Sequence, residues 1–140
     1  MPIEIKDLDG GLGVLIFGTG VVSNDDYVDK HKKHLLQNKD KFNKYRYSLS
    51  DLTAVTEADI SSESISLIAG LCRSAAKFNP YPVIAIIANQ NLIYGLARMT
   101  EMLIDATGWE HEVFRNREDA ESWIRERLKK KYGIGDLTMT

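Results

Sequence analysis

The chain has 140 residues, a formal net charge of −2 and 27% charged residues, values that fit one globular domain with an ordinary core. Charges of both signs are mixed, so the sequence lacks the basic excess of a nucleic-acid-binding protein. The longest apolar runs, Val14–Phe17 and Val83–Ala88, are too short to cross a bilayer, and Cys72 has no partner for a disulfide. These absences predict a cytoplasmic protein that neither binds nucleic acid nor inserts into a membrane.

The first third of the chain predicts a β-hairpin followed by a helix. Isoleucines alternate with polar residues at the start, and Asp9-Gly10-Gly11 supplies a turn before the strand Leu12–Phe17. Gly18 and Gly20 are expected to end that strand. The first long helix is expected to begin at Ser23, since serine is a favoured N-cap and acidic residues follow it.

The middle of the chain predicts a strand, a polar loop and a helix. Tyr45, Tyr47 and Leu49 alternate as a strand, the alternation breaks at Asp51, and a hydroxyl-rich loop leads to a helix from about Ser62 to Lys77. Ligands and partners of α/β proteins usually meet the chain where a strand's carboxyl end turns into a helix. This loop is therefore the first candidate for a functional site.

The second half of the chain alternates strands with helices. The continuous apolar run Val83–Ala88 predicts a central parallel strand that is covered on both faces. Asn89-Gln90-Asn91 is expected to cap a helix that ends before Gly108. Trp109–Phe114 is a short last strand, and Asn116 is expected to cap the final helix.

The resulting order, ββαβαβαβα, predicts a single α/β domain with a mixed, mainly parallel sheet, an N-terminal β-hairpin and four helices. Residues 1–132 are expected to form this domain. Residues 133–140 are expected to be a flexible tail, because they have little to bury.

Two groups of residues resemble a known family. The segment Asp51-Leu52-Thr53-Ala54-Val55-Thr56-Glu57-Ala58-Asp59-Ile60-Ser61 resembles a motif of anti-sigma-factor antagonists: Asp-Leu-Ser, a variable residue, Val, two variable residues, a hydrophobic residue and Asp-Ser-Ser. Those proteins belong to the STAS family, named for sulphate transporter and anti-sigma antagonist domains. The C-terminal half resembles small SpoIIAA-like proteins of this superfamily through Tyr94-Gly95-Leu96-Ala97-Arg98-Met99, Val113-Phe114-Arg115 and Glu118-Asp119-Ala120-Glu121-Ser122-Trp123-Ile124.

The resemblance covers most of the chain and implies a STAS-like domain that acts as a non-enzymatic bacterial regulatory or protein-interaction module. The implied partner is a protein such as a regulatory kinase or an anti-sigma-like factor. In the antagonists, the partner kinase phosphorylates the serine that follows the second aspartate. Here Ile60 occupies that position, and Ser61 follows as the candidate phospho-acceptor. The alternative that the resemblance implies is a small-molecule or lipid-like ligand-binding protein, similar in fold to lipid-carrier domains.

The candidate partner-binding residues come from the polar segment and from the helix of the SpoIIAA-like motif: Asp51, Thr53, Glu57, Asp59, Ser61, Ser62, Tyr94 and Arg98. Each has a simpler structural interpretation. Ser61 and Ser62 favour a helix-cap role over phosphorylation. The carboxylates of Asp51 and Asp59, with Glu57, favour solvated loop positions over a cation site or an acid–base pair.

Tyr94 and Arg98 are open to two interpretations. They belong either to a contact patch, as in a homodimer or a pocket wall, or to an exposed helix face on which Arg98 pairs with Glu101. His31 and His34 lack a third ligand for a metal. No catalytic residue, metal or cofactor is therefore expected, and an enzyme with Asp51 or Asp59 as base ranks last among the hypotheses.

Overall fold

The structure is a computed structural model that describes residues 3–34, 39–80 and 82–140. Within that range a single mixed sheet has five strands in the order β1-β2-β3-β4-β5. β1 and β2 are antiparallel, and all other neighbours are parallel. The elements are β1 (Ile3–Leu8), β2 (Gly13–Ser23), α1 (Asn24–Lys32), α2 (Lys39–Phe42), β3 (Tyr47–Asp59), α3 (Ser62–Ala76), β4 (Val83–Ile87), α4 (Asn91–Ile104), β5 (Glu110–Phe114) and α5 (Arg117–Tyr132).

This architecture confirms the predicted α/β class, the N-terminal hairpin and the four long helices. The structure also has a short helix, α2, which was not among the predicted elements. Ser23 and Asn116 are the N-caps of α1 and α5, where their side chains accept hydrogen bonds from the backbone N–H groups of Asp26 and Asp119 at 3.3 and 2.9 Å. These caps were predictable because each depends on residues only three positions apart.

Helices cover both faces of the sheet. On one face α5 buries Ala120, Ile124 and Leu128 against the sheet residues Leu49 and Ala85. On the opposite face α1, α3 and α4 pack over the sheet through apolar side chains that include Ile68 of α3 and Ile93 of α4. β4 lies between β3 and β5, which confirms the prediction of an inner parallel strand covered on both faces.

β2 and β3 are longer than their sequences suggested. β2 does not end at Gly18 or Gly20 but continues to Ser23, and β3 does not end at Asp51 but continues to Asp59. The prediction of a polar loop after Asp51 is therefore wrong, because the residues from Asp51 to Asp59 belong to β3. β4 pairs with β3 only as far as the Asp51–Ile87 pair, so the far ends of β2 and β3 extend together beyond the rest of the sheet. We call this two-stranded extension, Thr19–Ser23 paired with Ala54–Asp59, the arm.

Two β-bulges allow the pairing of β2 and β3 to continue into the arm. β3 has 13 residues and β2 has 11, and the register shifts between Phe17 and Thr19 and again between Gly20 and Val21. Each shift inserts one extra residue on the β3 side, which is the definition of a bulge. Gly20 has a φ of +64°, a left-handed conformation that glycine adopts without a steric penalty.

The C-terminal segment is packed against the sheet, contrary to the expectation that it has little to bury. Leu137 and Met139 are only 7% and 4% exposed and belong to the core beneath α5. The Asp9 carboxylate accepts hydrogen bonds from the backbone N–H and hydroxyl of Thr138, at 2.8 and 2.7 Å, and from the N–H of Met139 at 3.1 Å. The Tyr47 hydroxyl donates a fourth bond to the same carboxylate.

We expect Asp9→Asn to loosen the C-terminal segment and to lower the free energy of unfolding at neutral pH by about 1–2 kcal/mol, because charge-assisted bonds are lost. Asparagine tolerates the left-handed backbone at position 9, where φ is +50°, so the change isolates the charge. Burial raises the pKa of Asp9, but bonds from Tyr47, Thr138 and Met139 outweigh it and hold that pKa below its usual value.

A lowered carboxyl pKa contributes stability above the unfolded-state value of about 3.9, and that stability is lost as the pH falls through the folded pKa. The difference in unfolding free energy between the wild type and Asp9→Asn should therefore shrink below about pH 4. Denaturant titrations across pH and hydrogen exchange at Thr138 and Met139 test this, with the exposed Asp136→Asn as the control. Unchanged exchange at both amides would contradict the role given to Asp9.

Candidate partner-binding site

Asp51 closes the first bulge. Its side chain is only 6% exposed, and Oδ1 accepts hydrogen bonds from the Thr53 backbone N–H at 3.0 Å and from the Thr53 hydroxyl at 2.6 Å. Oδ2 lies 3.5 Å from Nη1 of Arg117 at the start of α5. The expectation of a solvated loop carboxylate is therefore wrong for Asp51, because the bulge leaves an N–H group that this carboxylate satisfies.

The second bulge sets which side chains of the arm face solvent. Val55 is buried, and Ala58 packs against the same apolar cluster. In an unbroken strand, residues three apart would face opposite sides of the sheet, so the extra residue near Thr56 is what places both on one side. Glu57 and Asp59 are exposed. The arm thus exposes acidic side chains to solvent on one face, while the apolar side chains of its other face stay packed against the core.

The start of α3 continues the exposed surface. Ser61 is the N-cap of α3, and its hydroxyl accepts a hydrogen bond from the Ser64 backbone N–H at 3.2 Å, so the predicted cap is confirmed. The Ser61 N–H donates to Oδ1 of Asn24 at 2.8 Å, which joins the beginnings of α1 and α3. Ser62 is exposed in the first turn. Ile60, at the position of the serine that is phosphorylated in the antagonists the segment resembles, is half-buried and lines an apolar cavity with Val55.

Carboxylates gather at this end of the molecule. Asp25 and Asp26 lie in the first turn of α1, Glu63 lies in the first turn of α3, and the pairing of Ser23 with Asp59 brings the end of β3 beside them. Within residues 3–34, 39–80 and 82–140, none of these acidic residues, nor Glu57, is in a salt bridge. Among the described residues, the carboxylates of this surface are therefore not neutralised by ion pairs.

The helix residues of the predicted site have other partners. The Arg115 guanidinium lies over the Tyr94 ring with 3.7 Å from its carbon to the ring centroid, a cation–π contact. Arg115 also donates to Oδ1 of Asn91 at 3.1 Å. Arg98 is exposed and pairs with Glu101 at 2.8 Å, as the simpler interpretation predicted. Sequence reasoning missed Arg115, although it stands in the Val113-Phe114-Arg115 motif.

Gln90 connects the arm to α4. It is the N-cap residue of α4 but makes no side-chain cap, and its Nε2 donates instead to the Val55 carbonyl at 3.1 Å. The predicted Asn89-Gln90-Asn91 cap is thus correct in position but not in chemistry. The predicted residues are divided among an exposed tip (Glu57, Asp59, Ser61 and Ser62), a bulge (Asp51 and Thr53) and two separate contacts of α4 (Tyr94 and Arg98).

Two small apolar cavities lie under α1 and α3. Their volumes are about 70 and about 30 Å³, and Tyr27, Leu52 and Ile86 line both. Burial lowers the pKa of His34 to about 4 and also lowers that of His31, so both rings, which line the larger cavity, are neutral at pH 7. Burial raises the pKa of the Cys72 thiol, which lines the same cavity, to about 12.

A buried amide holds the aromatic end of the larger cavity. Asn79 is 1% exposed and its Nδ2 donates to the carbonyls of Phe42 and Tyr45 at 2.6 and 3.2 Å. The Asn79 backbone carbonyl accepts a hydrogen bond from the Trp109 indole N–H at 2.9 Å. Because Phe42, Tyr45 and Trp109 all line the cavity, one residue fixes three of its walls.

Two further features are absent from the part of the chain that the structure describes. There, no group of three His, Cys, Asp or Glu side chains stands close enough to hold a metal ion. No helix found there has the length and apolar character that a membrane crossing requires.

Comparison with known proteins gives a fold but no activity. No family model and no curated protein matches the chain. Among solved structures, it is similar to an uncharacterised protein of the DUF3478 family with a SpoIIAA-like fold from Shewanella loihica PV-4. The TM-score is 0.55 and the identity 20%, over 87% of this chain and 91% of the other. The chain therefore has the SpoIIAA-like fold that its motifs suggested.

The cap at Ser61 can be tested against its neighbour. We expect Ser61→Ala to lower the free energy of unfolding by about 1 kcal/mol, because the Ser64 N–H loses its acceptor. Ser62→Ala, one residue further on, is the matched control and should change stability by less than about 0.5 kcal/mol. Urea denaturation of both variants checks this. An equal decrease in the free energy of unfolding for both variants would contradict the assignment of Ser61 as the cap.

Proposed function

We propose that this SpoIIAA-like domain is a non-enzymatic binding module that docks a protein partner on the exposed tip of the arm and the start of α3. The observation that carries the proposal is the acidic, uncompensated surface formed by Glu57, Asp59, Ser61 and Ser62. The family resemblance supports a bacterial, cytoplasmic regulatory role, with a kinase or an anti-sigma-like factor as the class of partner.

Several contacts organise this surface before any partner arrives. Asp51 holds the first bulge, Gln90 holds the Val55 carbonyl, and Asn24 holds the Ser61 N–H. A surface that is already ordered loses less conformational entropy when it binds, which favours specific recognition. The hydroxyls and carboxylates at the tip accept hydrogen bonds and attract positive charge. The partner therefore presents basic and hydrogen-bond-donating groups.

The phospho-switch of the family is modified in this proposal. Ile60 lines an apolar cavity, and Ser61 is engaged as a helix cap. A phosphate on Ser61 would add nearly two negative charges to a surface that is already acidic. Phosphorylation there would weaken the attraction for a basic partner. In the antagonists that the chain resembles, phosphorylation abolishes binding to the partner, so the effect has the same direction one residue later in this chain.

A homodimer, if formed, uses a different surface. Two copies that met through the tip would bring like charges together, which disfavours that arrangement. Helix α4 offers the alternative, since Met102 is 76% exposed and Arg98 stands one turn before it. Met and Arg are both enriched at protein interfaces.

We expect a photo-crosslinking residue at Ser62 to join the protein to a partner in native cell extract, and the same residue at the exposed Lys129 on α5 to give no such product. Adding Asp59→Arg should weaken the Ser62 product because the charge at the tip is reversed. Asp136→Arg makes the same charge change in the C-terminal segment and should leave the product intact. Equal products from Ser62 and Lys129, or no effect of Asp59→Arg, would contradict docking at the tip.

A second candidate function is binding of a small apolar or lipid-like molecule, and the paired cavities favour it. Their walls are mostly apolar, with neutral His31 and His34 at one side. Their joint volume is smaller than the roughly 150 Å³ cavity that holds benzene in an engineered protein. A ligand of larger size therefore requires that α1 moves, and α1 contributes no fully buried residue between Asn24 and Lys32.

Native mass spectrometry of purified protein tests the second candidate. We expect an added mass that is lost on denaturation in the wild type and in Cys72→Ser, which keeps the cavity size. Cys72→Met enlarges a wall side chain, so the added mass should be absent or reduced. An unliganded wild-type mass, or equal occupancy in Cys72→Met, would argue against this function.

A further inference from the structure

The arm has an open backbone edge. Beyond the Asp51–Ile87 pair, no described strand lies on the β4 side of β3, although β2 continues beside it as far as the Ser23–Asp59 pair. Ala54, Thr56, Glu57 and Asp59 along this stretch are exposed. From Ala54 to Asp59 the edge spans on the order of 20 Å, which is the length of an ordinary strand. An open edge of this kind is a template for a further strand.

One backbone group on this edge already has a substitute for a strand partner. The Val55 carbonyl accepts a hydrogen bond from the side-chain amide of Gln90 at 3.1 Å. A side-chain amide has the same donor chemistry as a backbone N–H, so Gln90 occupies the place that an incoming strand would take. Among residues 3–34, 39–80 and 82–140, no other side chain donates a hydrogen bond to a backbone carbonyl of this edge.

The charge of the edge selects the occupant. Glu57 and Asp59 are exposed to solvent, and Glu63 lies in the first turn of the helix that follows. A second copy of this edge would place carboxylates opposite carboxylates, which destabilises a strand pair. An extended segment with lysine or arginine at alternate positions would instead form cross-strand ion pairs along the edge.

We propose that the edge of β3 from Ala54 to Asp59 accepts an extended basic peptide segment as an additional β-strand. The inference rests on the proposed function, since it assigns the mode by which the partner meets the arm. Main-chain hydrogen bonds supply affinity in strand addition, and alternate side chains supply specificity. The predicted partner segment is therefore extended and basic rather than helical.

The test uses a short synthetic peptide of alternating lysine and valine, and the same peptide with glutamate in place of lysine. Backbone amide exchange and chemical shifts of the full chain are followed by NMR as each peptide is added. The basic peptide should slow exchange within residues 54–59 by about tenfold or more and shift the Gln90 side-chain amide. The acidic peptide should do neither.

Charge-reversal variants locate the effect. Glu57→Lys with Asp59→Lys should weaken binding of the basic peptide by about tenfold or more, because two attractive pairs become repulsive. Glu112→Lys, at an exposed carboxylate on the edge strand β5, should leave binding unchanged. Circular dichroism of each variant confirms the fold before binding is compared.

The outcomes separate this inference from the proposed function. If the peptide binds, depends on Glu57 and Asp59, and leaves exchange within residues 54–59 unchanged, strand addition is overturned and docking through side chains stands. If the peptide does not bind at all, strand addition is overturned, and the crosslink from Ser62 decides the proposed function by itself. Slower exchange at β5 instead of β3 also overturns the inference.

Discussion

The surface at the carboxyl ends of β2 and β3 depends on one mismatch in length. β3 has two more residues than the strand β2 that it pairs with. Two adjacent parallel strands cannot stay paired over their full length with unequal numbers of residues unless the extra ones bulge out. The bulges let the pairing reach the Ser23–Asp59 pair, so α1 and α3 begin side by side. Without them, the pairing of β2 with β3 would end near Asp51, and the acidic tip would not exist as an ordered surface.

The same bulges decide which chemistry the arm offers. At the first bulge, the Asp51 carboxylate accepts a hydrogen bond from the Thr53 hydroxyl. These two polar groups therefore stabilise the strand and are buried or half-buried. The second one keeps Val55 and Ala58 against the apolar layer while Glu57 and Asp59 face solvent. Residues that look equivalent in the motif therefore have different roles, one set structural and the other available for recognition.

Local signals in the sequence predicted much of the fold. The helix starts at Ser23, Ser61 and Asn116 were visible because a cap depends on residues a few positions away, and the apolar run of β4 had no competing interpretation. The break in alternation at Asp51 was also real. However, a bulge and a strand end disturb alternation in the same way, and only the continued pairing with β2 distinguishes them.

Features that depend on distant residues could not be read from the sequence. The C-terminal segment is held by Asp9, at the opposite end of the chain, and the Tyr94 ring is covered by Arg115 from another element. Neither contact has a periodic or local signal. The candidate site was also predicted only in part. The sequence pointed to the segment from Asp51 to Ser62, but it did not predict the strand and bulges that divide these residues between core and surface.

Hydrogen exchange followed by NMR, combined with cross-strand nuclear Overhauser effects between Val22 and Ala58, shows whether the arm is a paired strand. We expect cross-strand contacts at this pair and protected amides in the second half of β3. Exchange at the rate of an unstructured loop from Leu52 to Ile60, with no contact between Val22 and Ala58, would contradict it. In that case the acidic tip and its open edge would lose their structural basis together.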